Sequence, residues 1–169
     1  MRIGYACINT ELRQRDIWTS RSLRKKTYEE KGLEYVSELI EQNVSDLIKI
    51  LQWNDEHDIR FFRMSSNIFP FIDWYQVEDL PNFDKIKKLL DRAGSIAKNT
   101  KQRVTQHPDH FVKIARQDKD LIQESISTLE SQSRVFDLMG FDESPYHSIN
   151  IHVGGAYGNK KKTLKRFRE

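Results

Sequence analysis

A single cysteine, Cys7, cannot close an intrachain disulfide, so nothing in these 169 residues is a disulfide scaffold. A chain this poor in cysteine reads as the product of a reducing, intracellular compartment. Proline and glycine are scarce, at four and seven residues, which excludes collagen and Pro/Gly-rich disorder. No apolar run approaches the roughly 18 to 20 residues that a bilayer span requires. The first residues, Met1 to Ala6, hold no apolar stretch of signal-peptide length. What remains, 37% hydrophobic and 31% charged, suits one packed domain over 1–169.

The excess of one charge sign is small: 28 Lys+Arg against 25 Asp+Glu leave +3. Its distribution is less even. One basic cluster is Arg13, Arg15, Arg21, Arg24, Lys25 and Lys26, and a second is Lys160, Lys161, Lys162, Lys165, Arg166 and Arg168. Such clusters suit phosphate backbones, and equally a solvated surface with a basic tail.

Hydrophobic spacing predicts four strand–helix units. A short strand is expected over 2–7. Leu33, Val36, Ile40, Val44, Leu47 and Leu51 then hold one helix face, with Trp53 extending it and residues 54–58 ending it. A second strand, 59–64, is rich in aromatics. The next helix begins near Leu80-Pro81 and carries Phe83, Ile86, Leu90, Ala93 and Ala97. Residues 103–106 form a third strand, 117–139 a helix capped by Gly140, and 148–153 a fourth strand. A basic helix starts near Lys160. Alternating strands and helices imply an α/β fold with a parallel sheet, whose ligands gather at the C-terminal strand ends.

Polar residues stand at those ends: Cys7-Ile8-Asn9, Ser65-Ser66-Asn67, His107-Pro108 and His152. His107 and His152, offered by neighbouring strands, suit a divalent-metal site or ordinary loop hydrogen bonding. Cys7 is expected as a small buried hydrophobe, His57 as a helix cap and His147 as a surface residue. Gly154-Gly155 fits a tight turn better than a phosphate loop, since neither Walker A nor GxGxxG spacing is present.

Several segments together carry a resemblance: residues 2–10 (RIGYACINT), 31–35 (KGLEY), 61–70 (FFRMSSNIFP), His107-Pro108 and 149–158 (INIHVGGAYG). In these the chain resembles the UV-damage endonucleases (UvdE type) from residue 2 to the last residue. The resemblance implies a TIM-barrel fold of βα repeats, of which about the first four of eight units are present. It implies a DNA-repair enzyme that uses divalent metals, typically Mn2+ with Mg2+ or Zn2+ as alternatives, to nick damaged double-stranded DNA 5′ to UV photoproducts and other distorting lesions. His107 and His152 would then be metal ligands. His110 and Phe111 would enter the damaged duplex, and Tyr5 and Asn9 would touch the lesion side. Lys160, Lys161 and Lys162 would hold backbone phosphate.

Two departures stand out. Where relatives place a metal-approaching His or Glu after the Ser65-Ser66 segment, this chain has Trp74, leaving Asp73 as the compensating carboxylate. Asp109 and His110 change the charge and shape of a turn that normally bears glycine. A whole barrel takes roughly 250 residues, so further ligands are expected outside this chain, or from a second half-barrel chain or self-association. The rival readings are a catalytically inactive half-barrel that binds DNA or a partner, and an apurinic-site endonuclease or sugar isomerase on the same barrel.

Overall fold

The computed structural model describes residues 3–168. Arg2, expected to open the first strand, lies outside the described residues, as do Met1 and Glu169. Strands β1 (Gly4–Ala6), β2 (Phe61–Met64) and β3 (Arg103–Gln106) form a parallel sheet in that order. The helices are α1 (Thr10–Arg13), α2 (Lys25–Glu56), α3 (Phe83–Asn99), α4 (Lys119–Leu138) and α5 (Lys160–Arg168). Among the described residues no helix is long and apolar enough to cross a membrane.

The 3.6-residue period places α2 and α3 correctly because each buries its apolar stripe. Val36, Ile40, Val44, Leu47 and Leu51 are all fully buried, as are Ile86, Leu90, Ala93 and Ala97. Gly32 breaks α2 with φ of 69°, so the long helix proper begins at Leu33, and a separate turn over 25–31 precedes it. The break costs little at glycine, which lacks the Cβ that makes this backbone region unfavourable. His57 caps α2 as the sequence suggests: its Nδ1 lies 2.8 Å from the Trp53 carbonyl oxygen.

Strand register sorts the residues into two faces. Tyr5, Phe62 and Val104 are neighbours across the three strands and point into the helix layer, where Phe62 and Val104 are fully buried. Ala6, Arg63 and Thr105 are neighbours on the inner face.

The expected fourth strand is reduced to isolated parallel bridges, Gln106 with Ile149 and Lys113 with His152. Two hydrogen bonds join it to β3: Gln106 N to the Ser148 carbonyl at 3.1 Å, and Asn150 N to the Gln106 carbonyl at 2.9 Å. Pro108 supplies no N–H, so the ladder cannot continue along the chain from Gln106. Ser148, Asn150 and His152 also alternate as polar side chains, which gives that edge little to bury.

His147 departs from its expected surface position. Its ring stacks on Phe141 at 3.8 Å and 4°, with Nδ1 3.1 Å from the Val104 carbonyl oxygen. Burial pushes its pKa below the ordinary 6.5, outweighing the pull of the Val104 bond. The folded state therefore binds this proton less well than the unfolded chain does. The stabilisation is complete above pH 6.5 and is lost as pH falls through the lowered folded value. A series of thermal melts from pH 7.5 to 5 should show Tm falling on the acid side, and His147→Phe should flatten that fall.

Candidate functional site

The C-terminal ends of β2 and β3 and the bridge at His152 bring together the residues that the sequence singles out. His107 follows β3 directly, and His152 is drawn alongside by its bridge to Lys113. Their rings meet edge to face with centroids 4.5 Å apart. His107 Nδ1 donates to the Pro108 carbonyl oxygen at 2.7 Å, leaving the Nε2 lone pair free for an external partner. Two neutral imidazoles at this separation are the donor chemistry of a borderline divalent ion. Among the described residues no group of three His, Cys, Asp or Glu is gathered to hold one.

Asp73 therefore does not complete a trio with the histidines. It is exposed beside Trp74 and lines a separate cavity of about 150 Å3 with Ser66, Asp109 and Phe111. Trp74 belongs to an aromatic cluster with Phe71 (4.7 Å) and Tyr28 (5.2 Å), and Lys25 lies over its ring. That packing holds the loop after β2 against the start of α2.

The turn after His107 is fastened at several points. Ser66 Oγ donates to Asp109 Oδ1 at 2.8 Å, Val112 N donates to the Asp109 carbonyl at 2.9 Å, and Arg116 donates to the Phe111 carbonyl. On this braced turn Phe111 is 53% exposed, with His110 beside it at 5.7 Å between ring centroids. An exposed aromatic on a pinned loop is prepared to stack without much loss of freedom. Ser66 is the member that sequence reasoning did not assign; its only signal was its place just past a strand end.

Tyr5 and Asn9 are linked to each other and to the helix layer. The Tyr5 hydroxyl donates to Asn54 Oδ1 of α2 at 2.7 Å and accepts from Asn9 Nδ2 at 2.9 Å. Asn9 is buried, and its Oδ1 caps α1 by accepting from Leu12 N. Burial raises the Tyr5 pKa despite the opposing pull of the Asn9 and Asn54 bonds. Both side chains are thus engaged within the fold, Tyr5 on the face that it shares with Phe62, 5.2 Å away. Cys7 is half-buried, not buried, and turns the chain with φ of 61° while its N–H bonds the Arg63 carbonyl.

The basic clusters divide. Arg21 is withdrawn into an ion pair with Asp46 at 2.7 Å, and Arg13 and Arg21 both lie against Trp18. Lys160, Lys161 and Lys162 are exposed in the first turn of α5, which holds no acidic residue. Cations there oppose the helix dipole, an arrangement that a bound anion would relieve.

Comparison with known proteins bears on the chain's family and fold. The profile of the family described as UV-endonuclease UvdE matches residues 1–169. An Acanthamoeba polyphaga mimivirus protein is 36% identical over 99% of this chain and 51% of its own. The UV-damage endonuclease of Schizosaccharomyces pombe is 35% identical over 99% of this chain and 28% of its own. The crystal structure of SacUVDE superposes with a TM-score of 0.83 at 29% identity, covering 99% of this chain and 54% of that one. The chain thus spans about half the length of the mimivirus relative, and an α/β arrangement of parallel strands and helices like that of SacUVDE. By sequence along its whole length and by fold, the chain belongs to the UV-endonuclease UvdE family.

Proposed function

We propose that this chain supplies the N-terminal part of a DNA-repair endonuclease that nicks duplex DNA 5′ to UV photoproducts and other distorting lesions. The observation that carries this reading is the pairing of His107 and His152 beside an exposed, braced Phe111. The two imidazoles fit a divalent cation, Mn2+ first and Mg2+ or Zn2+ as alternatives, with further ligands coming from outside this chain. When bound, such an ion supplies Lewis acidity toward phosphate and a water of lowered pKa.

This chain's own part is to hold and orient. The Pro108 carbonyl fixes the His107 tautomer and leaves Nε2 as the nitrogen with a lone pair. Phe111 fills the gap left when a damaged base pair yields, and His110 donates to an exposed base edge. Lys160, Lys161 and Lys162 hold the phosphate backbone, which sets affinity and its salt dependence. Discrimination comes from the lower cost of deforming an already damaged duplex. The carboxylates that complete the site come from a further segment, a second half-barrel chain or self-association.

The test is nicking of UV-irradiated, abasic and undamaged duplexes by a form carrying the remainder of the barrel, with Mn2+ present. Cuts 5′ to photoproducts are expected; cutting at abasic sites alone would instead favour the apurinic-site reading. Phe111→Ala should lower lesion nicking by about 5- to 150-fold, as expected for losing about 1–3 kcal/mol of base stacking. Unchanged nicking by that variant would remove the wedge from the account.

A further inference from the structure

We infer that the inner face of the sheet carries an oxyanion site built from Arg63 and Thr105, lying beneath the His107–His152 pair. Its ligand class is a carboxylate or a phosphate group. The inference rests on the proposed function only for what the site serves, since the site itself stands on different residues.

Arg63 and Thr105 are direct neighbours in the β2–β3 register, so their side chains share one face. Thr105 is fully buried, and its Oγ1 has no hydrogen-bond partner among the described residues. Arg63 Nε is likewise buried without a partner. Other half-buried arginines are satisfied. Arg21 pairs with Asp46, Arg60 with Asp55 and Asp58, and Arg103, Arg116 and Arg166 donate to backbone carbonyls. Among the described residues, Arg63 alone in that set has neither an acid nor a carbonyl to meet.

A half-desolvated guanidinium without a partner is costly, and native proteins relieve it with an anion. The Arg63 guanidinium can only donate and the Thr105 hydroxyl can donate as well as accept, so a partner that suits both is an acceptor, and the guanidinium favours one bearing negative charge. The β1 neighbour of Arg63 is Ala6, which is exposed, so the sheet face beside the guanidinium is open. The layer below it is Gly4, Phe61 and Arg103, with no acid to compete. Two residues of extended chain separate Thr105 from His107, about 7 Å along the strand. An oxyanion gripped by Arg63 therefore stands between the sheet floor and the histidine pair. There it is either a carboxylate side chain that neighbours the metal or a phosphate of the substrate.

The experiment uses the 169-residue chain without divalent metal, at constant ionic strength, with chloride exchanged for acetate or inorganic phosphate. Thermal melts and the amide NMR shift of Thr105 report binding. A saturable response is expected in the wild-type chain. It should be lost in Arg63→Gln and about tenfold weaker in Arg63→Lys, which keeps the charge but not the fork. A response to acetate alone assigns the site to a carboxylate, and a response to phosphate alone assigns it to the nucleic-acid backbone. No saturable response, or an equal one in Arg63→Gln, overturns the inference. Should Arg63→Gln fail to fold by circular dichroism, Arg63→Lys decides alone. His107→Ala should keep the oxyanion response while losing any Mn2+ response, so this inference and the metal reading fail separately.

Discussion

Replacing His107 by alanine is expected to lower metal-dependent nicking by about a thousandfold, beyond the 10- to 100-fold typical of losing a group that only supports a ligand. The loss follows from geometry. His107 and His152 stand with ring centroids 4.5 Å apart, and the Pro108 carbonyl holds the His107 proton on Nδ1. Alanine removes one of two nitrogen donors and leaves the other without its partner. The same substitution should leave Tm nearly unchanged, because His107 is only half-buried and lies past the end of β3. His152→Ala should behave alike. The check has two parts: Mn2+ titration of the 169-residue chain followed by the histidine ring NMR signals, and nicking by a form carrying the remainder of the barrel. Full nicking by both variants would remove the histidine pair from the chemistry.

Gly94→Ala is expected to do the reverse, destabilising the fold without touching the site. A Cβ at Gly94 would stand 1.8 Å from the Met139 carbonyl oxygen and 2.7 Å from its carbon. The obstacle is backbone at the end of α4, which no rotamer change can move. Gly94 is buried on α3 between Leu90 and Ala97 of the apolar stripe, so α3 and α4 must part along their contact. A cost of about 3 kcal/mol or more follows from overpacking of this kind. For a chain of this size that lowers Tm by about 10 °C. Thermal melts of Gly94→Ala beside Gly94→Ser would show it, and a Tm within a degree of wild type would mean that the helices separate freely.

The sequence itself carried much of this architecture. Periodicity located α2 and α3 because each has one apolar stripe and one place to bury it, whereas α4 forms where expected but buries Ser125, Thr128 and Gln132 and leaves Ile122, Ile126 and Leu129 half-buried. Strand–helix alternation implied parallel pairing, and β1, β2 and β3 pair in that way. His107 and His152 were legible because both stand at predicted strand ends, and His57 was legible as a cap because its position follows the last helical residue.

Other features depended on contacts between residues far apart in the chain. Tyr5 meets Asn54, 49 residues away, and so joins the helix layer. Ser66 anchors Asp109 across 43 residues, and His147 finds Phe141 and the Val104 carbonyl rather than water. The fourth strand has strand-like composition but shrinks to bridges, since Pro108 withholds a donor and the neighbouring edge is short. Arg63 and Thr105 look ordinary in sequence; only the register, which sets them side by side with no acid in reach, makes them a site. Local patterns determine which elements form, because their periods are written in consecutive residues. Which polar groups are satisfied is decided only when distant segments meet, because burial and hydrogen-bond partners are properties of the packed chain.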